Sequence, residues 1–336
     1  MCSLSLQELA ILIDKKVTKQ ALHKFEAGTL IPDQEMIAIL AKTLNVRTSF
    51  FNRVPIINLS SISFRAMPDL SAKEKAALTE KTKDILERYL EIEQALKIDV
   101  SFLNPVSADE ISTGADVEQA VEKVKDAWKM GQGVIGNVIE ILENNNIKVV
   151  EVEVGDKFDG CQTVVNDNVP VIVLNNNRLK SPDRKRFTLM HELGHLLLNF
   201  NPVRTNIERE RLCNRFAGAM LLHREAAIKE FGNSRKNLSL YELGIVKQQY
   251  GMSMQAIAYR LMDLRIISPG YFSQFMNFMT ISKMRVEEPY PYEGREISGR
   301  FTQLVYRAIS ENLISFETAS ELANISVSDL QQGFRS

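Results

Sequence analysis

Two of the four histidines in this 336-residue chain stand four residues apart, His191 and His195, with Glu192 between them. They lie in FTLMHELGHLLLNF, an otherwise apolar stretch. On a helix a spacing of four stacks side chains on one face, so both imidazoles project to one point. This is the H-E-x-x-H arrangement, whose two nitrogens bind Zn²⁺ and whose glutamate takes the proton of the attacking water as general base. The chemistry it predicts is hydrolysis of a peptide bond.

Catalytic zinc takes a third protein ligand and keeps one position open. In NIERERLCNRFAGAMLL, Glu210 and Asn214 share a face four residues apart, while Leu212, Phe216 and Ala219 form an apolar neighbouring face. Glu210 is the expected third ligand. Glu208 is its competitor, but two residues of helix turn it about 200° away. His23 and His223 each stand alone, as surface or hydrogen-bonded histidines usually do. An oxyanion needs a donor, and Tyr259, Arg260 and His223 are unranked candidates.

The elements that must position these groups are legible in pattern and punctuation. Ser181, Pro182 and Asp183 form a helix opening, with a hydroxyl at the N-cap, proline at the first helical position and an acid in the first turn; the helix should run to about Asn199. Before it, IKVVEVEV, CQTVV and VPVIVL read as short strands, and 116–130 and 133–144 as helices. Ser71 and Glu74 form a capping box opening a long helix. Its predicted apolar stripe is Leu78, Ile85, Tyr89, Ile92 and Leu96, a spacer, a homodimer seam or a face packed on one of the flanking domains. PIINLSSISFRAMPDL reads as a polar connector, and EEPYPYEG as a boundary before helical 301–336.

Composition excludes several classes. With 45% hydrophobic and 25% charged residues the chain can bury sizeable cores, in two or three domains. It carries no apolar run of membrane-spanning length, and MCSLSLQELA lacks the charged and apolar regions of a secretory signal. Its three cysteines have no metal-type spacing and leave an odd thiol, which fits a reducing compartment. A cytoplasmic location with no membrane partner is expected. A net charge of −1 argues against a whole-surface nucleic-acid binder. The first 53 residues differ, with seven basic residues against five acidic and three short helical patterns, SLQELAILI, VTKQALHKF and PDQEMIAILAKTL. They suit a small DNA-reading module.

RFTLMHELGHLLL followed by ERLCNRFAGAMLL resembles the ImmA/IrrE family of zinc metallopeptidases, in its R-F-T-x-x-H-E-x-G-H core and its E-x-x-x-N-x-F-A helix. The resemblance covers roughly 131–264. It implies one Zn²⁺ per chain on His191, His195 and Glu210, with Glu192 as base. It also implies a protein substrate, a helix-turn-helix repressor or antitoxin, cleaved to release gene expression in stress, mobile-element, toxin–antitoxin or phage-defence settings. Leu222 and His223 depart from a common Met-Pro. The N-terminal helices resemble the Xre type of helix-turn-helix, with Thr18, Lys19, Gln20 and Lys24 at the exposed start of the recognition helix, where they would meet operator DNA. Asp14 stands where that type often has a turn glycine, and its first helix is expected to be missing. The C-terminal stretch from Phe301 is similar to the tail of long family members. The alternative function is a DNA-binding regulator whose zinc domain senses or scaffolds without proteolysis.

The resulting expectation is a mostly helical α+β chain. It comprises a helix-turn-helix bundle at 1–53, a helical linker at 54–130, a zincin-like metallopeptidase domain with a small β-sheet at 131–275 and a C-terminal helical interaction domain at 276–336.

Overall fold

The computed structural model describes residues 4–44, 48, 51, 70–166 and 168–335. The expected polar connector at 55–70 lies, apart from Leu70, outside them. By contacts the chain divides into two compact units, 1–99 with 301–336, and 100–300.

Side-chain caps set the N-terminal helices. Helix α1 (Leu6–Leu12) opens with a capping box in which Ser5 and Glu8 satisfy each other's backbone amides. Helix α2 (Lys19–Glu26) is capped by the Thr18 hydroxyl, and α3 (Gln34–Leu44) by Asp33 Oδ1 accepting from the Met36 amide. Ala10, Ile13, Leu22 and Leu40 form their shared core. Between α1 and α2 the chain turns through Asp14 and Lys15 at φ 54° and 55°, the left-handed region in which glycine is unstrained. Helix α4 (Ala72–Ala95) begins with the expected Ser71–Glu74 box. Its buried face carries Leu78, Thr82, Leu86, Tyr89 and Ile92. Leu86 is buried beside Thr82, whereas the predicted Ile85 is only partly buried.

In the second unit, β1 (Glu110–Ile111) leads into α5 (Gly114–Ala127), which has its own Thr113–Asp116 capping box. Helix α6 (Val138–Asn144) is shorter than the 133–144 pattern suggested. Its first amides are taken by a distant carboxylate, Glu296, which accepts from Val138 and Ile139 at 2.7 and 3.3 Å. Strands β2 (Lys148–Val152), β3 (Gly160–Val165) and β4 (Val169–Asn175) form a sheet of order β2-β4-β3. The pair β2–β4 is parallel and β3–β4 antiparallel. Every residue of the central β4 is buried, consistent with its unbroken apolar run.

Helix α7 (Pro182–Leu197) packs on that sheet and against α8 (Asn206–Leu221). Pro182 occupies its first turn as expected, but Ser181 makes no side-chain cap, and Asp183 instead pairs with Lys247 at 3.2 Å. The helix stops at Leu197, short of Asn199. After the C-cap Leu198, the chain forms β5 (Asn199–Phe200), drawn into a parallel pair with β1, Glu110 opposite Asn199 and Ile111 opposite Phe200. Helices α9 (Arg224–Phe231), α10 (Leu240–Tyr250), α11 (Met254–Asp263) and α12 (Pro269–Ile281) complete the layer around one large core.

Helices α13 (Arg300–Ser310), α14 (Phe316–Ala323) and α15 (Val327–Arg335) close the first unit. Leu304, Val305, Ala308, Ile309, Leu322 and Leu330 bury Tyr89, Ile92 and Leu96 of the α4 stripe. The fold is thus mostly helical with a small sheet, the α+β class expected. Among the described residues no helix is long and apolar enough to cross a membrane.

Candidate active site

Helix α7 is fixed before it presents its histidines. Arg186, fully buried, donates to the carbonyls of Gly136, Ile135 and Tyr250 at 2.5, 2.7 and 3.3 Å and forms an ion pair with the buried Glu296. These bonds hold the helix to α6, α10 and the segment after α12 at once. About two turns further on, Gly194 makes the α7–α8 approach possible. A β-carbon there would stand 3.3 Å from Phe216 Cδ1 and 3.4 Å from the backbone of Cys213.

That approach brings together the three expected ligands. His191 Nε2 lies 3.2 Å from Glu210 Oε2, His195 Nε2 lies 3.2 Å from Glu210 Oε1, and the two Nε2 atoms are 3.2 Å apart. Donors bound at ~2.1 Å to a tetrahedral zinc stand roughly 3.4 Å from one another. The donor set is therefore spaced for such an ion, and its chemistry, two imidazoles and one carboxylate, matches catalytic zinc. Among the described residues these three form the only group of histidine, cysteine, aspartate or glutamate side chains so converged.

Asn214, on the same face of α8 as Glu210, accepts a hydrogen bond from His191 Nδ1 at 2.9 Å. With the proton on Nδ1, the lone pair of Nε2 is directed at the site. Sequence reasoning noted that Glu210 and Asn214 share a face but gave Asn214 no role. Its signal was that spacing, four residues after the third ligand.

Burial opposes a charge on His191, yet the hydrogen bond to Glu210, the charges of Glu192 and Glu210 and the bond to Asn214 together hold its pKa above the ordinary histidine range. Bonds to both imidazoles push the Glu210 carboxyl far below the usual carboxylate range, although burial opposes this. Glu192 is raised, first by burial and then by the charges of Glu210 and Asp159, against the lowering effect of the two histidines. It has no hydrogen-bond partner among the described residues. Its methylene lies beside Gly160, where a β-carbon would stand 3.4 Å from Glu192 Cγ and 2.9 Å from Thr188 Cγ2. The glycine at the start of β3 thus gives the glutamate its room.

Glu208 is removed as a ligand. It belongs to the capping box of α8, bonded to Thr205 and Arg204 at 2.8 Å each. Those bonds, the Thr205 amide first, lower its pKa to about 2. Two of the three oxyanion candidates are also engaged elsewhere. Arg260 is buried and grips the Glu118 carboxylate at 2.6 and 2.8 Å, with its Nε on the Leu222 carbonyl. His223 caps α9 through Nδ1 and binds Glu122 through Nε2 at 2.6 Å. Tyr259, 38% exposed, makes no side-chain hydrogen bond among the described residues. In the N-terminal helices Thr18, Lys19, Gln20 and Lys24 are all exposed, as is His23.

No curated protein matches the chain. Residues 143–262, which contain the three-stranded sheet, the histidine helix and the Glu210 helix, match the family described as Peptidase_M78, the IrrE N-terminal-like domain, and this match supports a zincin-like metallopeptidase of the ImmA/IrrE type.

Proposed function

We propose that the chain is a zinc-dependent endopeptidase, holding one Zn²⁺ through His191, His195 and Glu210 and using Glu192 as its base. The observation that carries this is the mutual 3.2 Å spacing of the three donors beside an unpaired glutamate. Zinc, when bound, supplies Lewis-acid polarisation and makes water a nucleophile near neutral pH. Asn214 keeps the Nε2 lone pair of His191 directed inward. Glu192 accepts the proton from the water whose oxygen adds to the peptide carbonyl carbon, then returns a proton to the departing amine nitrogen as the C–N bond breaks.

The substrate class proposed is a helix-turn-helix repressor or antitoxin, cleaved in a cytoplasmic setting to release gene expression. The motif resemblance supports this class. Elemental analysis of the wild type and Glu210→Ala, paired with cleavage of a candidate helix-turn-helix repressor, tests the reading. About one zinc per chain, lost together with cleavage in the variant, is expected. A metal-replete chain that holds no zinc overturns it.

The second reading, a DNA-binding regulator, rests on a separate observation, the Thr18-capped α2 with Lys19, Gln20 and Lys24 exposed. A helix so presented can set amide and ammonium groups against bases and phosphates. Operator binding that weakens steeply with salt is its expected sign.

A further inference from the structure

A cavity of about 660 Å³ lies in the second unit beside the α7 and α8 helices. None of His191, Glu192, His195 and Glu210 lines it, but Asn214 does. The two nitrogens of an imidazole point away from each other. The cavity therefore meets the metal-binding group through Asn214, from the Nδ1 side of His191, opposite the ligating Nε2.

Its size falls in the range of small-molecule sites, ~300–1,000 Å³. The wall is aromatic and aliphatic, with Phe187, Ala256, Met276 and the T-shaped pair of Tyr259 and Phe272 at 5.4 Å. Its buried charges are already spoken for. Lys247 sits between Asp183 at 3.2 Å and Glu288 at 2.9 Å. Glu288 also accepts from the first amides of α11, Met254 and Gln255, at 2.8 and 3.1 Å. Arg260 is matched by Glu118, and Asp263 faces Arg215 at 3.7 Å. At the rim Lys180, Arg184, Arg285 and Glu287 are exposed, with Arg184 paired to Asp159 at 2.6 Å. An ionic ligand would find no uncompensated buried partner here, and its desolvation would go unrewarded. An uncharged apolar one loses nothing and buries aromatic surface.

We propose that this cavity is an effector site for an uncharged, largely apolar small molecule. Its occupancy alters how firmly His191 holds zinc, through the Asn214 side chain that serves both places. The site is distinct from the position where substrate reacts, and its binding arm needs neither zinc nor proteolysis.

The test uses the full zinc-loaded chain and Nile red, an uncharged fluorescent probe. Saturable binding at one probe per chain is expected, weakened roughly tenfold or more by Ala256→Trp and by Met276→Trp, each of which fills the cavity from a different helix. The probe should also change the rate of zinc release to a chelator by roughly fivefold or more. Asn214→Ala should still bind the probe saturably, and zinc release should no longer respond to it. Absence of saturable binding, or binding indifferent to both tryptophans, overturns the site. Binding that leaves zinc release unaltered overturns the coupling, and displacement of the probe by a cleavable peptide assigns the cavity to substrate instead. A chain that binds Nile red as described but cleaves nothing refutes the peptidase and leaves the effector site standing.

Discussion

His191 Nδ1 and Asn214 Oδ1 stand 2.9 Å apart, joining the helix that carries two metal-binding imidazoles to the helix that carries the carboxylate. The bond selects the tautomer of His191 and fixes its ring plane. Partners of this kind, lying behind a ligand, govern affinity nearly as strongly as the ligands themselves.

Replacing Asn214 by Ala should therefore lower zinc affinity about 10- to 100-fold while leaving the fold intact. Competition against a chromogenic chelator measures it. Unchanged affinity would mean that His191 is oriented by packing alone.

Glu192→Gln separates metal binding from chemistry. The amide fits the same space beside Gly160 but cannot take a proton. Zinc content should stay at the wild-type value and cleavage should fall by a factor on the order of 10²–10⁴. A variant that cuts normally would remove Glu192 from the mechanism.

Arg186→Ala should destabilise the second unit by about 3–5 kcal/mol, because it leaves the buried Glu296 without its counter-charge and three carbonyls without their donor. Burial already raises the pKa of Glu296 against the opposing effect of Arg186. Urea unfolding measures the loss. The double variant Arg186→Met, Glu296→Gln should recover part of it, since no buried charge is then stranded.

Lys125 gives a pH-dependent prediction. Its side chain is buried near the end of α5, and burial lowers its pKa to about 8, against the raising effect of Glu122. The unfolded chain, with a pKa near ~10.4, binds more protons between these values. Stability should therefore rise as pH increases from about 8 towards ~10.4. Lys125→Met should be more stable than wild type at pH 7, by about 1–3 kcal/mol. The advantage should shrink through that window. Thermal unfolding at pH 7 and pH 10 provides the comparison, and an equal advantage at both would contradict the assignment.

The residues fixed by local rules were legible in the sequence. His191 and His195 share a face because of the helical period, as do Glu210 and Asn214, and each pair is described by spacing alone. The Ser71 and Glu74 box likewise opens α4 where both residues stand. The R-F-T preceding the motif could be read only as a match. The structure shows that Arg186 anchors the helix, Phe187 lines the cavity and Thr188 packs at Gly160.

What the chain alone determined is thus the content of each helix face, since neighbours three and four residues apart are placed by backbone geometry. What only the tertiary structure decided is which faces meet. Glu210 reaches the histidines because α8 packs closely on α7 at Gly194, which brings its carboxylate within 3.2 Å of both imidazoles. Helix α7 ends at Leu197 because, after the C-cap Leu198, Asn199 and Phe200 pair with a strand near residue 110. The start of α6 is set by Glu296, 158 residues beyond Val138. Partners so far apart leave no periodic trace in the sequence, because their contact is chosen by the packing of the whole core rather than by the local path of the backbone.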